Sequence, residues 1–210
     1  MPTSDVIWEA VHAERRRLVR DLTGLPHDRW TVPSLVPGWS VHDVLAHLVD
    51  SAVTTRRAFW RQMVAARFDF DRVNERGVAR CRATDPTVTL ESFRAVVDRT
   101  DTPPGPLAAR LVEAYVHGED IRRPLGIGAS YPSEPVMTAL DYLIRTGARF
   151  GGGRERVAGL RLEPVDAEGA RGDGFSVRGP AVALLLAVSG RRAGLADLSG
   201  SGVELLAERL

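Results

Sequence analysis

Apolar residues recur three and four positions apart through the first two thirds of the chain, with polar residues between them. This spacing is typical of amphipathic helices that bury one face. It predicts helices over residues 4–23, 41–66, 106–122 and 133–144. Proline- and glycine-rich breaks separate them, and helices joined in this way predict an antiparallel bundle.

The segment between the second and third helices is harder to interpret. Residues 68–85 are polar and poorly periodic, which predicts a long connection with a turn or two of helix within residues 73–82. A further helix is expected to begin at a cap formed by Thr87 or Thr89 and to run to about residue 100.

The pattern changes after the triple glycine at residues 151–153. Alternating residues predict strands over 157–165 and 175–178, with the glycine-rich segment between them as the turn. A buried helix over 180–188 and a short final helix capped by Ser201 complete this part. We therefore predict a helical domain over residues 1–150 and a small α/β domain over residues 154–210, which is too short to be stable alone.

The clearest local signal is the start of the second helix. Ser40 and Asp43 form a cap of the S-x-x-D type, followed by the apolar stripe Val41, Val44, Leu45, Leu48 and Ala52. His47 lies at the edge of this stripe. Small side chains follow it in the same row, at Ser51, Thr54 and Ala58, and they leave space for a ligand.

Three residues suggest metal chemistry. Glu113 and His117 are four positions apart, so they share one helix face, and His47 would approach them from another helix. Two imidazoles and a carboxylate are the usual ligands of a catalytic divalent metal that keeps one position open. The alternative is that the spacing arises by chance and that His47 is a satisfied core histidine.

Nearby polar residues also have two interpretations. Asp120 and Asp43 lie within reach of the imidazoles of His117 and His47 and could fix their tautomers, or they could be a helix-end carboxylate and a capping residue. Arg122 and Arg123 could bind a substrate carboxylate or simply complement the helix dipole. The other candidates have structural roles: His42 and His27 are expected to face solvent, and Trp39 to anchor the core.

Composition narrows the class of protein. The 210-residue chain has a net charge of +1, which argues against a dedicated nucleic-acid binder, and all 28 of its basic residues are arginine. Cys81 is the single cysteine, so an intrachain disulfide and a cysteine-based zinc cluster are excluded. The longest apolar run, residues 181–188, is too short to cross a bilayer, and no secretion signal is indicated. We expect a cytoplasmic protein with no membrane partner.

Several runs of residues resemble one family. These are residues 36–48 (VPGWSVHDVLAHL), 73–76 (VNER) and 112–126 (VEAYVHGEDIRRPLG), and the resemblance extends to residues 177–186 and 198–203 in the C-terminal part. They resemble the mycothiol-dependent maleylpyruvate isomerase family of the DinB superfamily. The resemblance implies a DinB-like antiparallel four-helix bundle with a C-terminal α/β domain. It also implies one metal ion held by His47, Glu113 and His117.

The resemblance also implies a reaction. A metal beside the sulfur of mycothiol favours the thiolate, which is the nucleophile, so no protein cysteine is needed. An isomerase or a thiol transferase acting on a small electrophilic substrate is therefore expected. Arg123, Arg178, Ser51 and Thr54 are candidate substrate-binding residues, although no C-terminal arginine matches the family pattern clearly.

The metal and the activity stay open. The ligand set suits zinc first, with nickel, iron and manganese as alternatives. The competing hypothesis is a non-catalytic metal- or ligand-binding module, and the sequence does not indicate an oligomeric state.

Overall fold

The computed structural model describes residues 2–210 and is mostly helical, with a small parallel sheet. The helices are α1 Ser4–Leu22, α2 Val41–Val53, α3 Arg56–Ala65, α4 Phe70–Cys81, α5 Pro86–Ala95, α6 Ala109–Leu125, α7 Ser133–Arg145, α8 Ala181–Val188 and α9 Val203–Ala207. The strands are β1 Leu160–Pro164 and β2 Phe175–Gly179. Short 3-10 turns lie at His27–Thr31, Ala148–Phe150 and Arg192–Asp197. No helix among the described residues is long and apolar enough to cross a membrane.

The chain forms two compact units, which are described separately. The first contains residues 4–110 and 117–129, and the second contains residues 2–3, 111–116 and 130–210. The helix α6 contributes residues to both units.

Four helices supply the core of the first unit. Apolar side chains from α1, α2, α5 and the end of α6 pack together around Trp30. The predicted α2 stripe is buried throughout, and its partners include Leu18, Leu22, Leu90, Phe93, Ile121 and Leu125. Burying one apolar stripe per helix is what the periodicity predicts, and it stabilises the bundle.

The predicted cap of α2 is confirmed. The Ser40 hydroxyl accepts a hydrogen bond from the Asp43 backbone N–H, and the Asp43 carboxylate accepts one from the Ser40 backbone N–H at 2.9 Å. Two backbone donors that the helix leaves unpaired are satisfied in this way.

The single helix predicted over residues 41–66 is wrong, because the structure breaks it at Thr54. The Thr54 hydroxyl donates to the Asp50 carbonyl at 2.8 Å, and Thr54 has an extended backbone. The Thr55 hydroxyl then caps α3 by accepting from the Ala58 N–H. Two adjacent threonines compete for backbone groups and end one helix while starting the next, so Ala58 does not continue the α2 row.

The segment predicted as a connection is largely the twelve-residue helix α4, which Asp69 caps. Asp85 caps α5, so the prediction of a cap at Thr87 or Thr89 is wrong, and Thr89 is buried. Aspartate and threonine side chains both cap helices well, and the sequence has Asp85 just before Thr87.

The helix α6 runs past the predicted stop and includes Pro124 in its last turn. Proline has no N–H to donate to the Asp120 carbonyl, and that carbonyl accepts from the Leu35 N–H at 3.2 Å instead. The helix ends at Gly126, whose φ of +70° is left-handed.

In the second unit the two predicted strands are present but parallel, with Leu160 opposite Phe175. The predicted simple turn between them is wrong. Arg171 exchanges two backbone hydrogen bonds with Leu162, and the chain then reverses so that β2 runs alongside β1. Gly174 permits the reversal, since its φ is +131° and a Cβ would lie 2.0 Å from the Gly159 carbonyl oxygen.

The helices of this unit follow the prediction more closely. Almost all of α8 is buried, as its apolar sequence predicts. The last helix begins at Gly202 without a side-chain cap, so the predicted cap at Ser201 is wrong.

Candidate functional site

Two of the predicted ligands, His47 on α2 and His117 on α6, lie side by side in the first unit. Their ring centres are 5.0 Å apart and their planes meet at 77°. Two imidazoles on a tetrahedral zinc, with Zn–N bonds of about 2.0–2.1 Å, have ring centres roughly 5 Å apart. The pair therefore has a spacing that fits a shared divalent ion.

The ring of His117 is held by the carboxylate of Asp120. The His117 Nδ1 and Asp120 Oδ2 atoms are 2.8 Å apart, and Asp120 is fully buried. A carboxylate on Nδ1 fixes the tautomer and leaves Nε2 as the ring atom that can bind a metal. The structure thus places Asp120 where the sequence predicted it.

Trp39 lies against the other imidazole. Its ring centre is 5.3 Å from that of His47, and the side chain also packs on the core. The predicted anchoring role is compatible with this position. Trp39 in addition limits how the His47 ring can turn.

Glu113 precedes His117 by one turn of α6. Across residues 2–210, however, no group of three or more His, Cys, Asp or Glu side chains stands close enough together to hold an ion. The donor chemistry and the histidine pair fit a divalent metal, and metal binding by all three residues stays a prediction.

Two residues of the predicted row of small side chains after His47 form hydrogen bonds within the protein. Ser51 is buried and its hydroxyl accepts from the Arg110 guanidinium at 2.9 Å. Thr54 is also buried and ends the helix through its bond to Asp50. Ser51 therefore lies one turn from His47 beside a charged group, and Thr54 has a structural role.

Arg110 was not singled out from the sequence. It lies seven residues before His117, so the two share one face of α6, about two turns apart. The shared helix face could be predicted from the sequence spacing. The contact with Ser51 could not, because it joins residues 59 positions apart and depends on tertiary structure.

The other arginine candidates have partners of their own. Arg123 forms an ion pair with Glu119 at 2.7 Å in the first unit. Arg178 lies on β2 in the second unit, where it exchanges backbone hydrogen bonds with Ser199. Arg122 is fully buried and forms ion pairs with Glu14 and Asp21 of α1. Its side chain therefore links α6 to α1 and has a structural role.

Asp43 lies in the capping box and forms an ion pair with Arg82 at 2.8 Å. These contacts favour the capping interpretation over the fixing of an imidazole. Cys81 is the last residue of α4, in the segment that the sequence predicted to be mostly a connection. Burial, with the nearby Asp50 carboxylate, raises the pKa of the Cys81 thiol, which disfavours the reactive thiolate.

His42 does not face solvent as predicted. It is 1% exposed, and its Nε2 lies 2.8 Å from the Thr89 hydroxyl oxygen. Burial, assisted by the Arg82 charge, lowers the pKa of His42 to about 4. The error arose because position 42 was assigned to the polar face of α2, whereas α5 covers it.

These observations define the class of protein as a helical bundle with a histidine pair on two of its helices and a second unit that contains a small parallel sheet. Residues 11–104 match the family model described as the mycothiol maleylpyruvate isomerase N-terminal domain. The match includes His47 and ends before α6 begins. The chain matches no curated protein sequence.

Two solved structures share this fold. Crystal structures of a mycothiol-dependent maleylpyruvate isomerase and of its histidine-to-alanine mutant match with TM-scores of 0.66 and 0.65 at 17% identity. Each match covers 95% of this chain and 93% of that chain. The predicted fold class is confirmed, and the family model and both solved structures carry the name of the family that the sequence resembles.

Proposed function

We propose that this protein is a metal-dependent isomerase that uses mycothiol as its thiol cofactor, with maleylpyruvate or a related unsaturated acid as substrate. The observation that carries the proposal is the His47–His117 pair with Asp120 behind it. The family match and the two structural neighbours give the pair its chemical context. Thiol transfer to another small electrophile is the related activity that the same site would support.

In this proposal His47, Glu113 and His117 hold one divalent cation, with zinc as the first candidate and nickel, iron or manganese as alternatives. The cation, when bound, favours the thiolate form of a neighbouring thiol and so supplies the nucleophile at neutral pH. Asp120 keeps the His117 ring in the tautomer that leaves Nε2 as the donor atom. Trp39 restricts the His47 ring from the side.

Cys81 is not part of the proposed chemistry. Its thiol donates a weak hydrogen bond to the Asp50 carboxylate at 3.8 Å, and its raised pKa disfavours the thiolate. In this proposal the nucleophile comes from the external thiol.

Elemental analysis of the purified full-length protein, followed by an isomerisation assay with mycothiol and maleylpyruvate, tests the proposal. We expect about one equivalent of a divalent metal and thiol-dependent turnover. His47→Ala and His117→Ala should each lose metal and turnover, while His27→Ala, which changes an exposed histidine, should retain both.

A protein that binds metal and mycothiol but turns over no electrophile would favour the non-catalytic binding module. A wild-type protein that retains no divalent metal on metal titration would contradict the proposed site.

A further inference from the structure

A cluster of exposed apolar side chains lies on α3 and on the turn that leads into α4. Trp60, Val64, Phe68 and Phe70 are each more than half exposed. Phe59 connects two of them, since its ring centre is 5.5 Å from that of Trp60 and 6.1 Å from that of Phe70. Val64 follows Trp60 by one helical turn on the same face. These five residues form one surface, the α3 patch, whereas exposed apolar residues are usually scattered singly.

The turn that ends α3 holds Phe68 in solvent at a conformational cost. The φ angles of Arg67 and Phe68 are +57° and +63°, so both residues are left-handed. The Phe68 N–H donates to the Met63 carbonyl at 2.8 Å and the Arg67 N–H to the Val64 carbonyl at 3.0 Å, which is the Schellman arrangement. Glycine usually occupies its left-handed position, because a side chain there is strained. The chain has an arginine and a phenylalanine instead.

Arginines surround the α3 patch. Residues 56–70 contain four arginines, at positions 56, 57, 61 and 67, and one carboxylate. All four arginines are exposed. The carboxylate is that of Asp69, which caps α4 by accepting from the Arg72 N–H at 3.0 Å. The segment therefore presents positive charge beside exposed aromatic rings, which is the composition that an anionic partner complements.

Charge and area indicate which anionic partner fits. A second copy bound through the same patch would bring two sets of arginines together, and their repulsion disfavours a symmetric dimer. With about 150–250 Å² for each aromatic side chain, the half-exposed residues offer on the order of 400 Å², about half of the roughly 800 Å² that each partner of a stable protein complex buries. A lipid surface needs no matching shape, since aromatic rings enter the headgroup region and arginines extend to its phosphates.

We propose that α3 and the turn after it bind reversibly to the surface of an anionic lipid bilayer. The apolar side chains of the α3 patch enter the interface, and the surrounding arginines contact lipid phosphates. The contact does not depend on the histidine pair or on the proposed reaction. It changes the expectation of no membrane partner, which rested on the length of the apolar runs, because a helix that lies in the interface does not span the bilayer.

Cosedimentation of the full-length protein with lipid vesicles tests the proposal. Vesicles of equimolar phosphatidylcholine and phosphatidylglycerol are compared with vesicles of phosphatidylcholine alone. We expect binding to the anionic vesicles to be at least about tenfold tighter. It should largely disappear when the ionic strength rises from about 0.1 to 1 M, because the Debye length falls from about 10 Å to about 3 Å.

Two substitutions test the apolar part of the surface. Trp60→Ser and Phe68→Ser should each weaken vesicle binding about tenfold, because each removes an aromatic ring from the interface. Val88→Ser is the matched control, since it removes an exposed apolar side chain from α5 and should leave binding unchanged. Trp60→Phe should retain most of the binding but lose most of the blue shift in tryptophan fluorescence that vesicles cause in the wild type.

The charged part is tested by the double variant Arg57→Gln, Arg61→Gln. One arginine near an anionic surface contributes about fivefold to binding, so the double variant should bind about tenfold to thirtyfold more weakly. The control is Arg20→Gln, Arg149→Gln, which removes the same charge from exposed positions on α1 and in the second unit and should bind as the wild type.

Arg67→Gly separates a role at the surface from a role in the fold. Glycine relieves the left-handed backbone, so the melting temperature should rise by about 1–3 °C. The lost charge should weaken vesicle binding about fivefold at the same time. A variant that is more stable and binds as tightly as the wild type would count against the assignment of Arg67 to the lipid surface.

Several outcomes overturn the proposal as a whole. These are a wild-type protein that does not sediment with anionic vesicles, one that binds both kinds of vesicle equally, and wild-type binding by Trp60→Ser or by the double variant of Arg57 and Arg61. Self-association of the lipid-free protein in light scattering, abolished by Trp60→Ser, would assign the α3 patch to a second copy. If a serine variant does not fold, as judged by circular dichroism, the double arginine variant decides.

Discussion

At the scale of the single residue, His42 makes stability depend on pH. Its pKa is lowered from an ordinary 6.5 to about 4 by burial, so the folded state favours the neutral ring. Between these values the unfolded chain binds more protons, and the free energy of unfolding must fall as the pH falls from about 6.5 to 4. Because one proton is involved, the folding equilibrium constant falls by at most about tenfold per pH unit.

His42→Gln should flatten this dependence, because glutamine can still bond to Thr89 but does not titrate. Urea unfolding at several pH values between 4 and 7 measures it. His27→Gln is the control, since His27 is exposed and its replacement should leave the slope as in the wild type. An equally steep slope in His42→Gln would show that other groups cause the acid sensitivity.

Asp120→Asn is the second test at this scale. Asparagine can still bond to His117 Nδ1, but it loses the charge that makes the ring a stronger ligand. We expect metal affinity to fall about tenfold to hundredfold in a chelator competition assay, with helicity unchanged. Retained metal affinity would mean that the carboxylate serves the fold and not the ligand.

The residues of the site were predictable where they lie on one helix. His117 and Asp120 are three positions apart, so their contact follows from helical spacing alone. The burial of His42 and the bond between Ser51 and Arg110 depend on which helices meet. A single sequence does not specify that pairing.

At the scale of the helix, Gly77 is where α4 packs against α2. A Cβ at Gly77 would lie 2.3 Å from Asp50 Oδ2 and 2.9 Å from Asp50 Cγ. Asp50 is buried and held by an ion pair with Arg80 at 2.5 Å, so it cannot easily move away. Gly77→Ala should therefore destabilise the protein by about 1–3 kcal/mol, although alanine is the better helix former by about 1 kcal/mol.

A double-mutant cycle with Asp50→Ala isolates this contact. In the Asp50→Ala background the added methyl group has space, and Gly77→Ala should become neutral or stabilising in urea unfolding. Stabilisation by Gly77→Ala in the wild-type background would show that the helices adjust at little cost.

Helix boundaries were predictable where one cap dominates. Ser40 and Asp43 satisfy each other's backbone donors, and the start of α2 follows from these two residues. At Thr54 the outcome depends on a local competition, because the same hydroxyl can point to solvent within a helix or bond to the Asp50 carbonyl and end it. The length of the polar helix α4 was not predicted, because it has few apolar positions. Packing against α2 stabilises this helix, and the sequence alone does not show that packing.

At the scale of the whole molecule, both strands and most of the helices followed from periodicity, whereas the α2–α3 break, the helix α4 and the strand pairing did not. Two strands close in sequence favour a hairpin, but the backbone of Arg171 bonds to Leu162 and the chain reverses again before β2. The glycines that allow this reversal also suit an ordinary turn, so composition could not distinguish the two arrangements.

The last prediction concerns the linkage between thiol binding and protons in the intact protein. If mycothiol binds as its thiolate beside the histidine pair, binding must release the thiol proton, so affinity should rise with pH until the free thiol ionises near ~8.5. Calorimetry in two buffers of different ionisation enthalpy should then give different heats, and the melting temperature should rise with thiol concentration. Cys81→Ser should behave as the wild type, while His117→Ala should lose both effects. Heats that do not depend on the buffer would mean that the thiol binds protonated, and the thiolate mechanism would be wrong.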